Sequence, residues 1–164
     1  SMPPRVKVAA NYHNGRLGEI QAKADGYDKA IFLTGAGKVA EGAGACLFMV
    51  RDGVPATPIA TEGILESITR ASILDIFAEE LGMPATERVI DRTELYLAEE
   101  IFFCGSAYEV TPIVNVDGLD VGDGKIGPVT RRVWDAYQSA VRGESARRQD
   151  WLTPVYSQAA VAAK

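Results

Sequence analysis

The chain has 164 residues, 47% of them apolar and 24% charged, the balance of one globular domain rather than of a disordered segment. A chain of this length buries roughly 70% of its unfolded surface, so it needs no metal or disulfide staple. Seventeen basic residues against 22 acidic ones leave a net charge of −5 with no basic block, which argues against nucleic acid or an anionic membrane as partner.

No apolar run approaches the ~20 residues of a membrane span, and no signal peptide opens the sequence, so a cytoplasmic protein is expected. Cys46 and Cys104 read as lone thiols far apart, which fits a reduced, intracellular protein. With His13 the one histidine, no metal site is expected. Ser1-Met2 reads as the scar of a cleaved tag, residues 1–4 as scar and linker, 5–156 as the folded domain and 157–164 as an alanine-rich flexible tail.

In chain order, Val6 to Ala10 reads as a strand or an extended lead-in, and Asn14 to Ala24 as a weak helix closed by Asp25-Gly26. Ala30 to Leu33 reads as a buried strand, followed by a turn at Gly35-Ala36-Gly37. Cys46 to Val50 is a second apolar strand, and Asp52-Gly53 marks a hairpin whose return is cut short by Pro55 and Pro58. Leu65, Ile68, Ile73, Ile76, Phe77 and Leu81 recur at helical spacing, which predicts a helix from about Leu65 to Leu81, stopped by Gly82.

Thr86 to Ile90 reads as a strand, Arg92 to Glu99 as a short helix, and Ile101 to Cys104 as a buried strand leading to Gly105-Ser106. Val110 to Val116 is the next strand, turned by Asp117-Gly118. Pro128 suits the first turn of a last helix whose Val129, Val133, Trp134, Tyr137 and Val141 share a face. Strands alternate with helices, yet hairpins also occur, so the class is α/β (mixed α+β) with a mixed sheet. Lys38, Arg70 and Arg131 read as surface charges.

No P-loop, Gly-x-Ser-x-Gly elbow or HExxH is present. Four spaced segments stand out instead: Lys7-Val8-Ala9-Ala10-Asn11-Tyr12, Glu41-Gly42-Ala43-Gly44, Leu65-Glu66-Ser67-Ile68-Thr69-Arg70 and Cys104-Gly105-Ser106-Ala107. By residue type alone, Lys7 would be a solvated lysine, Glu41 a turn glutamate in a Gly-rich loop, Tyr12 a half-buried core tyrosine, and Leu65 and Ile68 helix core. Taken together, and with Thr93 to Glu100 and Gly127 to Arg132, the segments resemble the C-terminal domain of the class IV (fold type IV) pyridoxal-phosphate aminotransferases. The likeness is strongest to the branched-chain amino acid enzymes and runs from about Arg5 to Tyr156.

The resemblance implies a mixed sheet forming a pseudo-barrel with flanking helices, and pyridoxal 5′-phosphate as cofactor. It implies that Lys7 holds the cofactor as a Schiff base and shuttles the substrate proton, the chemistry a lysine amine can supply. Glu41 would face the pyridine nitrogen and keep it protonated, with Gly42 to Gly44 letting the backbone lie near the ring. Tyr12 would bond the phenolic oxygen, and Leu65 would lie under the ring. The N–H groups of Ile68 and Thr69 would hold the phosphate at a helix N-terminus, together with the Ser106 hydroxyl. Gly105 and Ala107 would meet the substrate.

The implied reaction transfers an amino group from leucine, isoleucine or valine to 2-oxoglutarate. Amino acids and 2-oxo acids are then the small-molecule partners, and the enzyme is a homodimer. Three departures from the family pattern concern the site: Ser106 stands where the branched-chain enzymes more often carry Thr, Cys46 where the pattern carries Asn, and Tyr108 where a smaller side chain is common. The family's lysine also follows a whole N-terminal domain that supplies a phosphate-binding arginine, whereas Lys7 opens this chain. That domain is therefore expected to be missing, leaving an excised domain, a proteolytic remnant or a natural truncation. The alternatives open at this point are a catalytically incompetent domain, a class IV enzyme for D-amino acids or (R)-amines, or an aminodeoxychorismate lyase.

Overall fold

The computed structural model describes residues 3–155; the expected scar at Ser1-Met2 and the expected tail at 157–164 lie outside them, as does Tyr156. The first half of the described chain runs α1 (Ala9–Ala24), β1 (Ile31–Leu33), β2 (Val39–Gly42), β3 (Cys46–Arg51), β4 (Val54–Pro58) and α2 (Ile68–Asp75). It continues through β5 (Thr86–Arg88), β6 (Glu100–Gly105), β7 (Glu109–Ile113), β8 (Asn115–Val116), β9 (Leu119–Asp120) and α3 (Pro128–Val141). Short 3-10 turns lie at Ala60–Glu62, Arg92–Leu97 and Gln149–Trp151.

The apolar run Cys46–Val50 becomes the centre of a five-stranded sheet of order β5-β4-β3-β6-β7. All its pairings are antiparallel except β4 with β5, so the sheet is mixed, as expected. Strand alternation sends Cys46, Phe48, Phe102 and Cys104 to one face, where they meet Ile73, Phe77 and Val133 of the helical layer. Leu47, Met49, Ile101 and Phe103 point to the other, against Val39, Ile90 and Leu95. A strand buried on both faces reads as a continuous apolar run, which is why β3 is visible in the sequence. Phe48 and Phe102 stack across β3 and β6, ring centroids 5.2 Å apart.

Several expected elements are redrawn. Val6 to Val8 is a bent lead-in rather than a strand, the Val8 N–H reaching back to the Val6 carbonyl at 2.9 Å, and α1 starts at Ala9, five residues before the expected Asn14. β1 is half-buried rather than buried, because it pairs only with β2 at the edge of the fold. β2, which the sequence presents as a Gly-rich turn, is a strand: the Val39 N–H bonds the Ile90 carbonyl at 2.9 Å, and Val39 is fully buried. The prolines do not interrupt β4, in which Pro55 sits opposite Val50 and Pro58 is the last residue.

The predicted Leu65–Leu81 helix starts three residues late. The Ser67 hydroxyl caps it by accepting the Arg70 N–H at 3.4 Å, which leaves Leu65 outside. Its last turn, Ile76–Glu80, widens to π-helical spacing before Gly82 takes a φ of +63°. Val110 to Val116 is two strands, because the Val114 carbonyl accepts the Val121 N–H at 2.9 Å and β8 pairs with β9 instead of continuing β7. Arg92–Leu97 forms a 3-10 turn, and Val141 falls off the buried face of α3 at 48% exposure.

Arg70 is not a surface charge. It is 5% exposed, and its guanidinium bonds the Thr57 hydroxyl, the Pro58 carbonyl and, at 2.6 Å, the Glu87 carboxylate. It ties α2 to the β4–β5 edge. Glu100 does the same for α3. Its carboxylate, on the first residue of β6, accepts the Val129 N–H at 2.9 Å and the Thr130 N–H at 2.6 Å, satisfying donors that the helix leaves free. Gly127 precedes them because a Cβ there would lie 2.1 Å from the Glu100 Cδ.

Both bonds to Glu100 are charge-assisted and one is buried, so Glu100→Ala should cost about 2 kcal/mol. The check is the urea midpoint of the variant at unchanged m-value. A midpoint equal to that of the parent chain would remove Glu100 as the cap of α3.

Candidate functional site

A cleft of about 350 Å³ opens at the Cys46–Gly105 end of the β3–β6 pair. Pockets for small ligands commonly fall in the range of about 300–1,000 Å³. A shallower hollow of about 680 Å³ continues past Glu41 and Ala43 toward Phe32 and Ala36.

Lys7 reaches the cleft from the turned segment before α1. That segment has no strand partner and is held by Asn11, whose side-chain amide donates to the Pro3 carbonyl at 3.0 Å and the Val6 carbonyl at 2.9 Å. Tyr12 follows on the first turn of α1. One turn further, Gly15 lets the helix press against the Gly-rich segment: a Cβ at Gly15 would meet Ala43 at 3.1 Å. The Tyr12 ring thereby lies beside Gly44.

Glu41 comes from β2, and the chain reverses after it through a Gly42 N–H to Ala45 carbonyl bond of 2.8 Å. Its carboxylate accepts the Leu65 N–H at 3.0 Å. The Leu65 carbonyl in turn accepts the Cys46 thiol at 3.4 Å. Leu65, excluded from α2 by the Ser67 cap, is thus gripped at both polar groups. On the opposite wall, β6 ends at Gly105 and the Ser106-Ala107 turn closes with a Tyr108 N–H to Gly105 carbonyl bond of 3.1 Å.

The structure brings together Lys7, Tyr12, Glu41, Leu65, Gly105, Ser106 and Ala107 as lining residues. The side chains of Ile68 and Thr69 do not join them: Ile68 is 86% exposed and Thr69 is buried elsewhere. Their N–H groups precede the first intrahelical bond, from the Ala71 N–H to the Ser67 carbonyl, and Ser67 itself lines the cleft. Tyr108 does not narrow the cleft. Its ring turns to Phe103, 6.0 Å between centroids, and lies under the Lys29 ammonium at 5.1 Å.

Four participants escape the sequence pattern. Asn11 and Ser67 stand inside the motifs without a role, since a side-chain staple and a cap depend on where an element starts. Cys46 reads as an apolar filler, yet its thiol holds Leu65. Cys104 reads as remote from Cys46, but the two are direct partners across β3 and β6, and both line the cleft.

The family model described as "Amino-transferase class IV" matches residues 1–116. A "Probable branched-chain-amino-acid aminotransferase" of Aquifex aeolicus is 46% identical over 156 residues, 95% of this chain and 50% of its own length. The branched-chain amino acid aminotransferase of Thermobaculum terrenum, solved in its PLP form, superposes with a TM-score of 0.93 at 49% identity, over 95% of this chain and 51% of that one. The branched-chain amino acid aminotransferase of T.th., complexed with N-(5′-phosphopyridoxyl)-L-glutamate, gives 0.90 at 41% identity, over 94% and 52%. The chain spans about half the length of the curated relatives it matches.

Burial drives the Glu41 carboxyl from 4.5 up to about 7, against the opposing pull of the Leu65 N–H. In the unfolded chain this carboxyl ionises near 4.5, whereas in the folded chain it ionises only near 7. The unfolded state therefore holds fewer protons between those limits, and the Glu41 contribution to stability falls as pH rises through the window, then levels off above it. Glu41→Gln should thus gain stability relative to the parent chain between pH 4.5 and about 7, read as the difference in thermal midpoints. A pH-independent difference would show that the carboxyl is not desolvated.

Proposed function

The chain belongs to the class IV aminotransferase family, and we propose that it is the cofactor-binding portion of a branched-chain amino acid transaminase using pyridoxal 5′-phosphate. The observation that carries this reading is the meeting of one amine, one desolvated carboxyl, one phenol and one hydroxyl in a single cleft, from Lys7, Glu41, Tyr12 and Ser106. Among the described residues, Glu41 has the Leu65 N–H as its one bonding partner and forms no ion pair. A buried acid without a cation is suited to a ring nitrogen that carries a proton, so the donor set fits this cofactor.

When bound, the cofactor supplies an electron sink that allows the Cα–H bond of an amino acid to break. The chain's own residues do the rest. Lys7 would hold the cofactor covalently, and its amine would carry the proton at the substrate Cα. Glu41 keeps a proton on the ring nitrogen, and Tyr12 donates to the phenolic oxygen. Leu65 packs against the ring, its peptide fixed by Glu41 and Cys46. Ser106 and the N–H groups of Ile68 and Thr69 take the phosphate, and Gly105 and Ala107 border the substrate. The amino donors are leucine, isoleucine and valine, and the acceptor is 2-oxoglutarate. Support for a glutamate-type partner comes from the phosphopyridoxyl-glutamate complex of the T.th. relative.

One observation favours a second reading, in which this polypeptide binds cofactor but does not turn over alone. Among the described residues that line the cleft, Lys7 is the one cation, and it is assigned to covalent anchoring. A doubly charged phosphate then meets hydrogen-bond donors without a guanidinium. We assign that missing charge to the half of the relatives' length that this chain does not span, along with part of the substrate pocket and a homodimeric partner.

Titration with pyridoxal phosphate should produce a visible absorbance band that resists dialysis and is absent in Lys7→Ala. Leucine and valine should then discharge the band where D-alanine and (R)-phenylethylamine do not. A band retained in Lys7→Ala would overturn the assignment of Lys7. A band that persists with every donor would establish the second reading for this chain.

A further inference from the structure

The roles assigned above use the Cys46 thiol only as a brace for Leu65 and leave the redox chemistry of the Cys46–Cys104 pair unused. The two residues are register partners on adjacent antiparallel strands and belong to the same face of the sheet. Directly opposed residues in such a ladder have Cα atoms about 4.5–5.5 Å apart, inside the roughly 4.4–6.8 Å that a disulfide spans. The backbone therefore already has a spacing suited to closure. Among the described residues, these two are free thiols, and both contribute to the lining of the cleft: Cys46 keeps 3% of its surface open, enough for a peroxide to touch its sulfur, and Cys104 lies fully buried beside it.

We propose that Cys46 and Cys104 are an oxidisable dithiol site that a peroxide-class oxidant closes into a cross-strand disulfide, freeing the Leu65 carbonyl and weakening cofactor binding. The first half of the inference stands on the strand register alone. The second rests on the reading of the cleft as a pyridoxal-phosphate site.

The two sulfurs are not equivalent. Cys46 is held below the usual thiol range, chiefly by hydrogen bonding with the Cys104 thiol, while that same bond and burial push Cys104 up. Cys46 is thus the attacking group. Its thiolate attacks one peroxide oxygen, the O–O bond breaks, and hydroxide leaves with the other oxygen, giving a sulfenic acid. Cys104 then attacks that sulfur, loses its proton and displaces the hydroxyl, which leaves as water. In sum, two thiols and one peroxide become one disulfide and two waters, the sulfur pair giving up two electrons.

Closure removes the S–H that now donates to the Leu65 carbonyl at 3.4 Å. Leu65 would remain tethered only through Glu41, and the floor of the cleft would lose half of its grip on that peptide. A cysteine at position 46 turns a fixed brace into one that responds to oxidant.

The test treats the full chain with hydrogen peroxide and reads intact mass, free thiols and pyridoxal-phosphate affinity. Expected are loss of two hydrogen atoms, disappearance of both thiols, reversal by dithiothreitol and an affinity about tenfold weaker, the effect of one lost hydrogen bond. Peptide mapping should join the Cys46 and Cys104 peptides, and neither Cys46→Ser nor Cys104→Ser should form the link. A folded chain that gains only oxygen atoms, or links only between molecules, overturns the dithiol site. A closed form with unchanged affinity overturns its coupling to the cleft. If the reduced chain gives no absorbance band, the cofactor reading fails, and the mass shift still decides the thiol pair.

Discussion

The hydrogen-bonded ladder between β3 and β6 is the constraint to which each wall of the cleft is referred. It runs from Cys46 opposite Cys104 to Val50 opposite Glu100, and both of its faces are buried. Apolar layers on either side leave no direction in which the pair can shift without opening a cavity or overpacking. At one end of this ladder Glu100 caps α3 and sets the helical layer. At the other end, Ala45 and Cys46 receive the turn from Glu41, while Gly105 delivers Ser106 and Ala107. The site therefore inherits its geometry from the stiffest part of the fold, although most of its side chains stand on short connections.

Around that fixed end the polar groups are few and individually satisfied. Arg70 and Glu100 are buried ions that cross from one layer to another, and each meets several hydrogen-bond partners. Burying such groups loses much solvation, whether the partner is a carboxylate, as Glu87 is for Arg70, or two helix N–H groups, as for Glu100, so their use lies in fixing which helix end meets which strand. Arg148 repeats the pattern near the end of the described chain, where it bonds both Glu79 and Glu80 and lies against Trp151. Glu41 has no ion to pair with and, unlike Glu100 with its two backbone donors, accepts from the Leu65 N–H alone, so burial raises its pKa.

Elements defined by local chemistry are legible in the order of residues. Asp52-Gly53 and Asp117-Gly118 turn hairpins with positive φ at both residues of each pair, and Pro128 opens α3 as its fixed φ favours. The unbroken apolar runs of β3 and β6 are equally plain. β2 is not, since Val-Ala-Glu-Gly carries too little pattern to outweigh its glycine, and its strand conformation is imposed by β1 and by the Ile90 carbonyl. The start of α1 is hidden for a related reason. The alternation through Val6, Lys7 and Val8 mimics a strand, whereas the chain turns there and the Asn11 staple fixes where the helix begins.

By itself, the order of residue types determined the family likeness and the mixed class. It also determined the set of groups available for chemistry, because a lysine, a glutamate, a tyrosine and a serine keep their reactivity wherever they are placed. What the tertiary structure decided is which of these groups share one volume and which polar neighbour holds each in place. Leu65 became a gripped peptide instead of a helical residue, Tyr108 turned away from the cleft, and two cysteines distant in the chain became register partners. Register and layer packing are long-range properties. They follow from how buried faces fit together, and a sequence window carries no record of the strand that will lie opposite.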